Sequence, residues 1–228
     1  MVVDAVIYHP YYDKILRFLD TTPKREKLYR LVAYLSRFLT YYSYRMGFST
    51  DTVNMFKELK SQVTFLRKGM RFLKPLHHLE TASKTFDNKL MDPILQKTTV
   101  VRNLGYAGYL TIDAFIFLKM LGLVNKSKFS NASTWASRFW LLGLIAGVIN
   151  SLRSYKINIT KLNNKDEKVD VEDVKGKIFK AKRKLVWDLL DMFIALNSLN
   201  YLHFTEGDVG LAGSITSVMG LKDLWAAT

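Results

Sequence analysis

The chain has 228 residues, 49% of them apolar and 24% charged, a balance that excludes a disordered polypeptide and permits a substantial core. Thirty-four basic side chains stand against twenty acidic ones, a net charge of +14 that implies an anionic partner, either nucleic acid or a phospholipid surface. The absence of cysteine removes disulfides, thiol catalysis and cysteine-based zinc sites, and the scarcity of proline and glycine favours long helices over turn-rich β structure.

In chain order, Met1-Val2-Val3-Asp4-Ala5 shows none of the basic and apolar regions of a signal peptide, so synthesis in the cytosol is expected. Thr21 and Thr22, followed by Pro23 and Glu26, predict a helix running to about Tyr44 and stopped by Gly47. Its apolar positions Leu28, Leu31, Val32, Leu35, Phe38, Leu39 and Tyr42 recur at spacings of three and four. Asp51 or Thr52 starts a second helix reaching Lys74, where Pro75 ends or kinks it. Asp92-Pro93 opens a third that runs to Gly122, and Thr134 a fourth, through Asn150 or as far as Lys156. A fifth spans Lys175 to His203, and Asp208 starts a last one ending near Trp225. No stretch alternates at period two. The expected fold class is therefore all-α, elongated and membrane-associated. Within a single domain it divides into a basic amphipathic region (residues 1–91), an apolar helical region (92–160), a polar loop (161–177) and C-terminal helices (178–228).

The second helix carries the sharpest pattern. On a wheel of about 100° per residue, Phe56, Leu59, Val63, Leu66, Met70 and Leu73 fill one arc. Lys57, Lys60, Arg67, Lys68, Arg71 and Lys74 fill its neighbour, and Glu58 lies on neither. An oily face beside a cationic one is the composition of a helix lying in a lipid headgroup plane. Six cations near an anionic leaflet contribute about 6 kcal/mol, and six half-inserted apolar side chains about 5–9 kcal/mol. These twelve residues are the candidate lipid-binding set. A core-facing helix of a soluble bundle would show the same apolar spacing, but its solvated face would normally mix both signs of charge.

No segment is both long and free of charge. The longest uncharged runs, Phe139–Leu152 and Met192–Thr205, have fourteen residues each, about 21 Å of helix against a hydrocarbon thickness of about 30 Å. Arg138 and Arg153 could snorkel from the ends of the first, which also contains Gly143 and Gly147 at GxxxG spacing. Asp113, and Asp188 with Asp191, interrupt the neighbouring apolar helices. A span through 138–153 and a set of buried or half-inserted helices both fit.

Little else carries chemistry. His9, His77, His78 and His203 form no metal motif, and the His77-His78 pair reads as interfacial. Asp188 and Asp191 read as a polar stripe, since no second carboxylate pair accompanies them as a bundle metal site requires. Gly207, Gly210 and Gly213 recur every third residue, but neither GxGxxG nor a P-loop lysine is present. No enzyme, cofactor, metal or nucleic-acid-reading motif is expected.

Residues along the whole chain resemble one family, the fungal peroxin eleven proteins. The likeness includes Tyr8-His9-Pro10, Arg17-Phe18-Leu19-Asp20 and Arg25-Glu26-Lys27 with Leu28, Arg30, Leu31, Tyr34, Leu35, Arg37 and Phe38. It continues through Arg71-Phe72-Leu73-Lys74-Pro75-Leu76-His77-His78-Leu79 and Phe86-Asp87-Asn88-Lys89-Leu90. Tyr109-Leu110, Trp140-Leu141-Leu142-Gly143-Leu144, Leu185-Val186-Trp187-Asp188 and Leu224-Trp225-Ala226-Ala227-Thr228 complete it, while the stretch around 161–177 carries little. The resemblance implies a place at the peroxisomal membrane and a role in its elongation and fission. It also implies an amphipathic segment, here Asp51–Leu79, that binds acidic lipids and bends the bilayer. Self-association and engagement of a dynamin-like fission GTPase are implied too. A pore for small metabolites is the alternative the family raises, with Asp113, Lys119, Asp188 and Asp191 as its polar lining.

Overall fold

The computed structural model describes residues 8–125, 127–164 and 170–228. Eight helices and, among the described residues, no strand make it all-α. They are α1 (Pro10–Leu19), α2 (Thr22–Arg45), α3 (Thr50–Met70), α4 (Lys74–Asp87), α5 (Pro93–Met120), α6 (Ala132–Asn163), α7 (Val171–Ser198) and α8 (Glu206–Ala226).

Helix ends follow local chemistry. Asp92 caps α5 by accepting from the backbone N–H groups of Ile94 and Leu95, both at 3.1 Å. Asp170 caps α7 in the same way through Glu172 and Asp173. Thr205 and Asp208 form a reciprocal capping box on α8, which places that helix's start two residues before Asp208. Gly47, at φ 72°, supplies the left-handed residue beyond α2.

Three elements depart from expectation. The short helix α1, with Pro10 in its first turn and His9 as its cap, has no counterpart in the sequence reading. Helix α3 ends at Met70 rather than Lys74, and α4 begins only after a turn at 71–73. A proline ring clashes with the carbonyl four residues back, so Pro75 breaks the helix at Arg71 and not at its own position. The polar loop is shorter than 161–177: residues 161–163 close α6 and 171–177 open α7, while 165–169 lie outside the described residues.

The chain forms two compact units, Met1–Arg71 with Phe204–Thr228, and Phe72–His203. In the first, α2 packs against both α3 and α8, and α1 lies against α2. In the second, α4, α5, α6 and α7 pack each against the next.

Both units are packed inside out by the standard of a water-soluble bundle. The side of α2 that is buried carries Glu26, Arg30, Ala33, Ser36 and Ser43, whereas Leu28, Leu35 and Tyr42 are exposed. Helix α8 buries Gly207, Gly210, Gly213, Thr216 and Ser217 and exposes Leu211, Ile215 and Val218. The largest fully buried side chains are Leu144, Val209, Thr216, Asp188 and Ser217: two aliphatics, two hydroxyls and a carboxylate. Small residues at helix contacts with large aliphatics outside are the packing rule of helices in lipid, where nothing drives leucine inward and close backbone approach does. The every-third glycines of α8 belong to this contact. A Cβ at Gly210 would sit 2.6 Å from the backbone nitrogen of Phe38, and those at Gly207 and Gly213 would meet the rings of Tyr41 and Tyr34.

Candidate lipid-facing surfaces

Helix α3 turns neither of its two arcs fully outward. Val63 and Arg67 are buried, so the line of contact with α2 runs along the seam between oil and charge. Of the oily arc, Leu59 and Leu66 are exposed and Phe56 and Met70 half-buried. Of the basic arc, Lys57 is exposed and Lys60 and Lys68 half-buried. Between the two flanks the outer face presents Asn54, Glu58, Ser61 and Gln62. Leu73 and Lys74 follow the break, as the cap and first residue of α4, and both are exposed.

The inward arginines have a definite partner. Arg67 donates from Nε and Nη2 to Glu26 Oε1 at 3.1 and 2.9 Å, and Arg71 Nε lies 4.0 Å from the same oxygen. Burial, then the neighbouring Arg71 charge, pulls the Arg67 guanidinium below its ordinary value, with Glu26 opposing. Two of the six cations of the basic arc thus point at a buried carboxylate on α2. At the other end of α3, Lys60 Nζ lies 3.7 Å from Glu206, which also accepts from Arg37 at 2.7 and 2.6 Å. The Arg37 hydrogen bond holds the Glu206 carboxyl below the usual carboxylate range. The Glu26–Arg67 pair joins residues 41 apart and has no sequence signature, although a glutamate followed by an arginine one turn on (Glu26, Arg30) inside an apolar-striped helix hints at a buried charge.

Asp113, Asp188 and Asp191 of the second unit are also buried rather than arranged as an open stripe. Asp188 accepts from Arg102 Nη1 and Nη2 at 2.7 and 3.0 Å and from Lys184 Nζ at 2.7 Å. Asp191 accepts from Trp187 Nε1 at 3.2 Å, and Asp113 is buried on α5. Lys119 Nζ donates to the Phe129 carbonyl at 2.9 Å. The GxxxG pair makes room for this arrangement within the chain. A Cβ at Gly105 would lie 2.8 Å from the Gly143 nitrogen, and one at Gly147 would lie 2.6 Å from Asp188 Oδ2. Of the two histidines expected at an interface, His77 is exposed, whereas His78 is half-buried, 2.9 Å from Asn103 Oδ1 and stacked on Tyr106. Among the described residues one helix, α6, is long and apolar enough to cross a membrane, and 39% of its most apolar window is buried.

Against this geometry, a family model described as Peroxisomal biogenesis factor 11 (PEX11) matches residues 12–225, from within α1 to the end of α8. The chain belongs to the PEX11 family. It is 37% identical to peroxisomal membrane protein PMP30B of Candida boidinii, over all of this chain and 99% of that one. It is 35% identical to peroxisomal membrane protein PMP27 of Saccharomyces cerevisiae, over the full length of both. To human peroxisomal membrane protein 11A it is 22% identical over 92% of its own length. No solved structure matches. This PEX11 chain is therefore a peroxisomal membrane protein of a family concerned with peroxisome proliferation.

Proposed function

We propose that this PEX11 protein curves and elongates the peroxisomal membrane by inserting the exposed apolar flank of α3 into one leaflet, and that self-association concentrates the resulting asymmetry into a tubule. A dynamin-like GTPase then acts on the tubule. The observation that carries the reading is that Leu59 and Leu66 stand exposed along a helix whose other flank carries Lys57 and Lys68. A wedge of this kind expands the leaflet it enters, and the cations direct it to anionic headgroups.

The structure sharpens the residue set. With Arg67 and Arg71 directed at Glu26 and Lys74 carried on α4, the electrostatic contribution from α3 falls from about 6 to about 3 kcal/mol, at about 1 kcal/mol for each of Lys57, Lys60 and Lys68. The full cationic ridge is presented only when α3 lets go of Glu26, so Arg67 and Arg71 serve cohesion in the packed state and lipid in a released one. The pore reading gains nothing from the geometry, because Asp188 and Asp191 are engaged by Arg102, Lys184 and Trp187 inside the helix packing.

The test is tubulation of anionic vesicles by the full-length protein, followed by electron microscopy. Leu59→Ser with Leu66→Ser should abolish tubules while thermal unfolding stays unchanged, since both side chains are already exposed. Tubules of undiminished number from that variant would refute insertion by α3.

A further inference from the structure

In the second unit α4 to α7 pack each against the next, which leaves α4 and α7 as its edges. Their free faces differ in charge. On α4 the exposed charges include both signs, Glu80, Lys84 and Asp87, with Lys84 donating to Glu80 at 2.6 Å. On α7 the sequence from Val174 to Trp187 carries six cations and no acid. The acids just ahead of it serve the start of the helix: Asp170 accepts from two backbone N–H groups, and Asp173 accepts from Lys177 at 2.5 Å. The acid just after it, Asp188, is buried.

Val174, Ile178 and Ala181 are buried along this stretch, and Lys175, Lys180 and Lys182 are exposed. Phe179, 65% exposed, and Val186, 49% exposed, share a line with Lys175 and Lys182, because 175, 179, 182 and 186 follow helical spacings of four and three. Apolar and cationic side chains thus alternate along one outward stripe. The antiparallel neighbour α6 adds to the charge. Lys182 lies 5.4 Å over the Tyr155 ring, and Ser137 meets Ser198 farther along. That register brings the exposed Lys156 level with Lys180, and the exposed Lys161 level with Lys175.

We infer that this stripe of α7, with Lys175, Phe179, Lys180, Lys182 and Val186, is a membrane-contacting surface in its own right and docks on the anionic headgroup plane of a bilayer. Charge complementarity carries the argument. Anionic headgroups present a sheet of one sign, whereas a merely solvated helix face mixes both, as α4 does. Phe179 and Val186 decide between a bilayer and an acidic protein. Set between lysines, they suit the boundary of headgroups and acyl chains, where lysine stems lie along apolar matter and their ammonium groups reach phosphate. An acidic protein would need a pocket for Phe179 in register with its carboxylates, and a fluid lipid surface needs none. The inference rests on the membrane location already assigned and not on α3.

Because the chain has no cysteine, a nitroxide can be placed singly at Phe179→Cys, Val186→Cys or Lys177→Cys, the last on the opposite side of α7 from Phe179. The full-length protein would be bound to phosphatidylserine–phosphatidylcholine vesicles and read by electron paramagnetic resonance. Positions 179 and 186 should lose collisions with a water-soluble nickel chelate, and 177 should not. Phosphatidylcholine alone should protect none of them, and high salt should restore access at 179 and 186. Lys175→Gln with Lys180→Gln and Lys182→Gln, changes that keep helix propensity, should restore it too. In the Leu59→Ser, Leu66→Ser chain the same three changes should weaken vesicle binding about 100-fold, about fivefold for each lysine. Undiminished access at 179 and 186 on vesicle-bound protein overturns the inference and leaves the stripe to an acidic protein. Equal protection at 177 overturns it as well, as shielding without a docked face. Protection that vanishes in the Leu59→Ser, Leu66→Ser chain makes the contact a consequence of the α3 wedge and overturns it as a separate surface. Protection kept in that chain supports the inference whether or not tubules form, so failure of the wedge and failure of the α7 surface read out separately.

Discussion

The two units bury the same kind of ion pair but show the outside different faces. In the first, Glu26 holds Arg67 beneath α3, and the outer face of α3 mixes Leu59 and Leu66 with Asn54, Glu58 and Gln62. In the second, Asp188 holds Arg102 and Lys184, and the exposed residues of α6 between Arg138 and Arg153 are Leu142, Ile145, Ile149 and Leu152. A buried charge pair thus says nothing about the medium outside. The outward residues differ, and they set a mixed face on α3 against an aliphatic one on α6.

The hardest blow to that contrast falls on Asp188. Asp188→Asn leaves Arg102 and Lys184 without their counter-charge and should cost about 3–5 kcal/mol, seen as loss of cooperative thermal unfolding in detergent. If the variant unfolds like the parent, the pair is not what fixes the α5–α7 packing. Next comes the contact between α2 and α8. Gly210→Ala drives a methyl to 2.6 Å from the Phe38 backbone and should destabilise by about 1–3 kcal/mol. Gly176→Ala, on α7 with open space around it, should instead stabilise by about 0.5–1 kcal/mol. Opposite signs at the two glycines, read by unfolding midpoint, separate a packing glycine from an idle one.

Much of the helix layout was legible because capping is local: Thr21 with Pro23 and Asp92 with Pro93 each lie within four residues, whereas the Thr205–Asp208 box starts α8 two residues before the expected Asp208. Which face of each helix turns inward was not. Periodicity marks an apolar stripe on α2 at Leu28, Leu31, Val32, Leu35, Phe38, Leu39 and Tyr42, and in water that stripe would be the core, yet here Leu28, Leu35 and Tyr42 are exposed and the other four only half-buried. The candidate lipid residues were similarly legible as a pattern but not as a surface, because the pairing of Arg67 with Glu26 joins separate helices and Pro75 acts four residues upstream of itself. The clue available was the i,i+4 spacing of Asp188 from Lys184, with the aspartate set among Leu185, Val186, Trp187, Leu189 and Leu190, a sign of burial rather than of an exposed stripe.

Two smaller effects sharpen the contrast at its edges. Lys57→Glu replaces an attraction of about 1 kcal/mol with a repulsion of the same size, so anionic vesicle affinity should fall about 30-fold in a flotation assay, with unfolding unchanged. Equal binding to neutral and anionic vesicles would remove the electrostatic part. Asp92 behaves differently because its partners are internal. The hydrogen bond from Arg153, then that from the Leu95 backbone, lowers its carboxyl to about 2. An unfolded aspartate titrates near 3.9, so the stabilisation is complete above about pH 4 and is lost as pH falls through about 2. Asp92→Asn, which keeps a capping side chain, should flatten the unfolding midpoint across that window.

Helix α3 offers the most direct reading of all. With no native cysteine, an environment-sensitive fluorophore can be placed at Leu59→Cys, Leu66→Cys or Glu58→Cys in the full-length protein and followed on addition of anionic vesicles. Insertion of the apolar flank predicts a blue shift at 59 and 66 and none at 58. A shift at 58 equal to theirs, or none at any of the three while the protein floats with the vesicles, would contradict it.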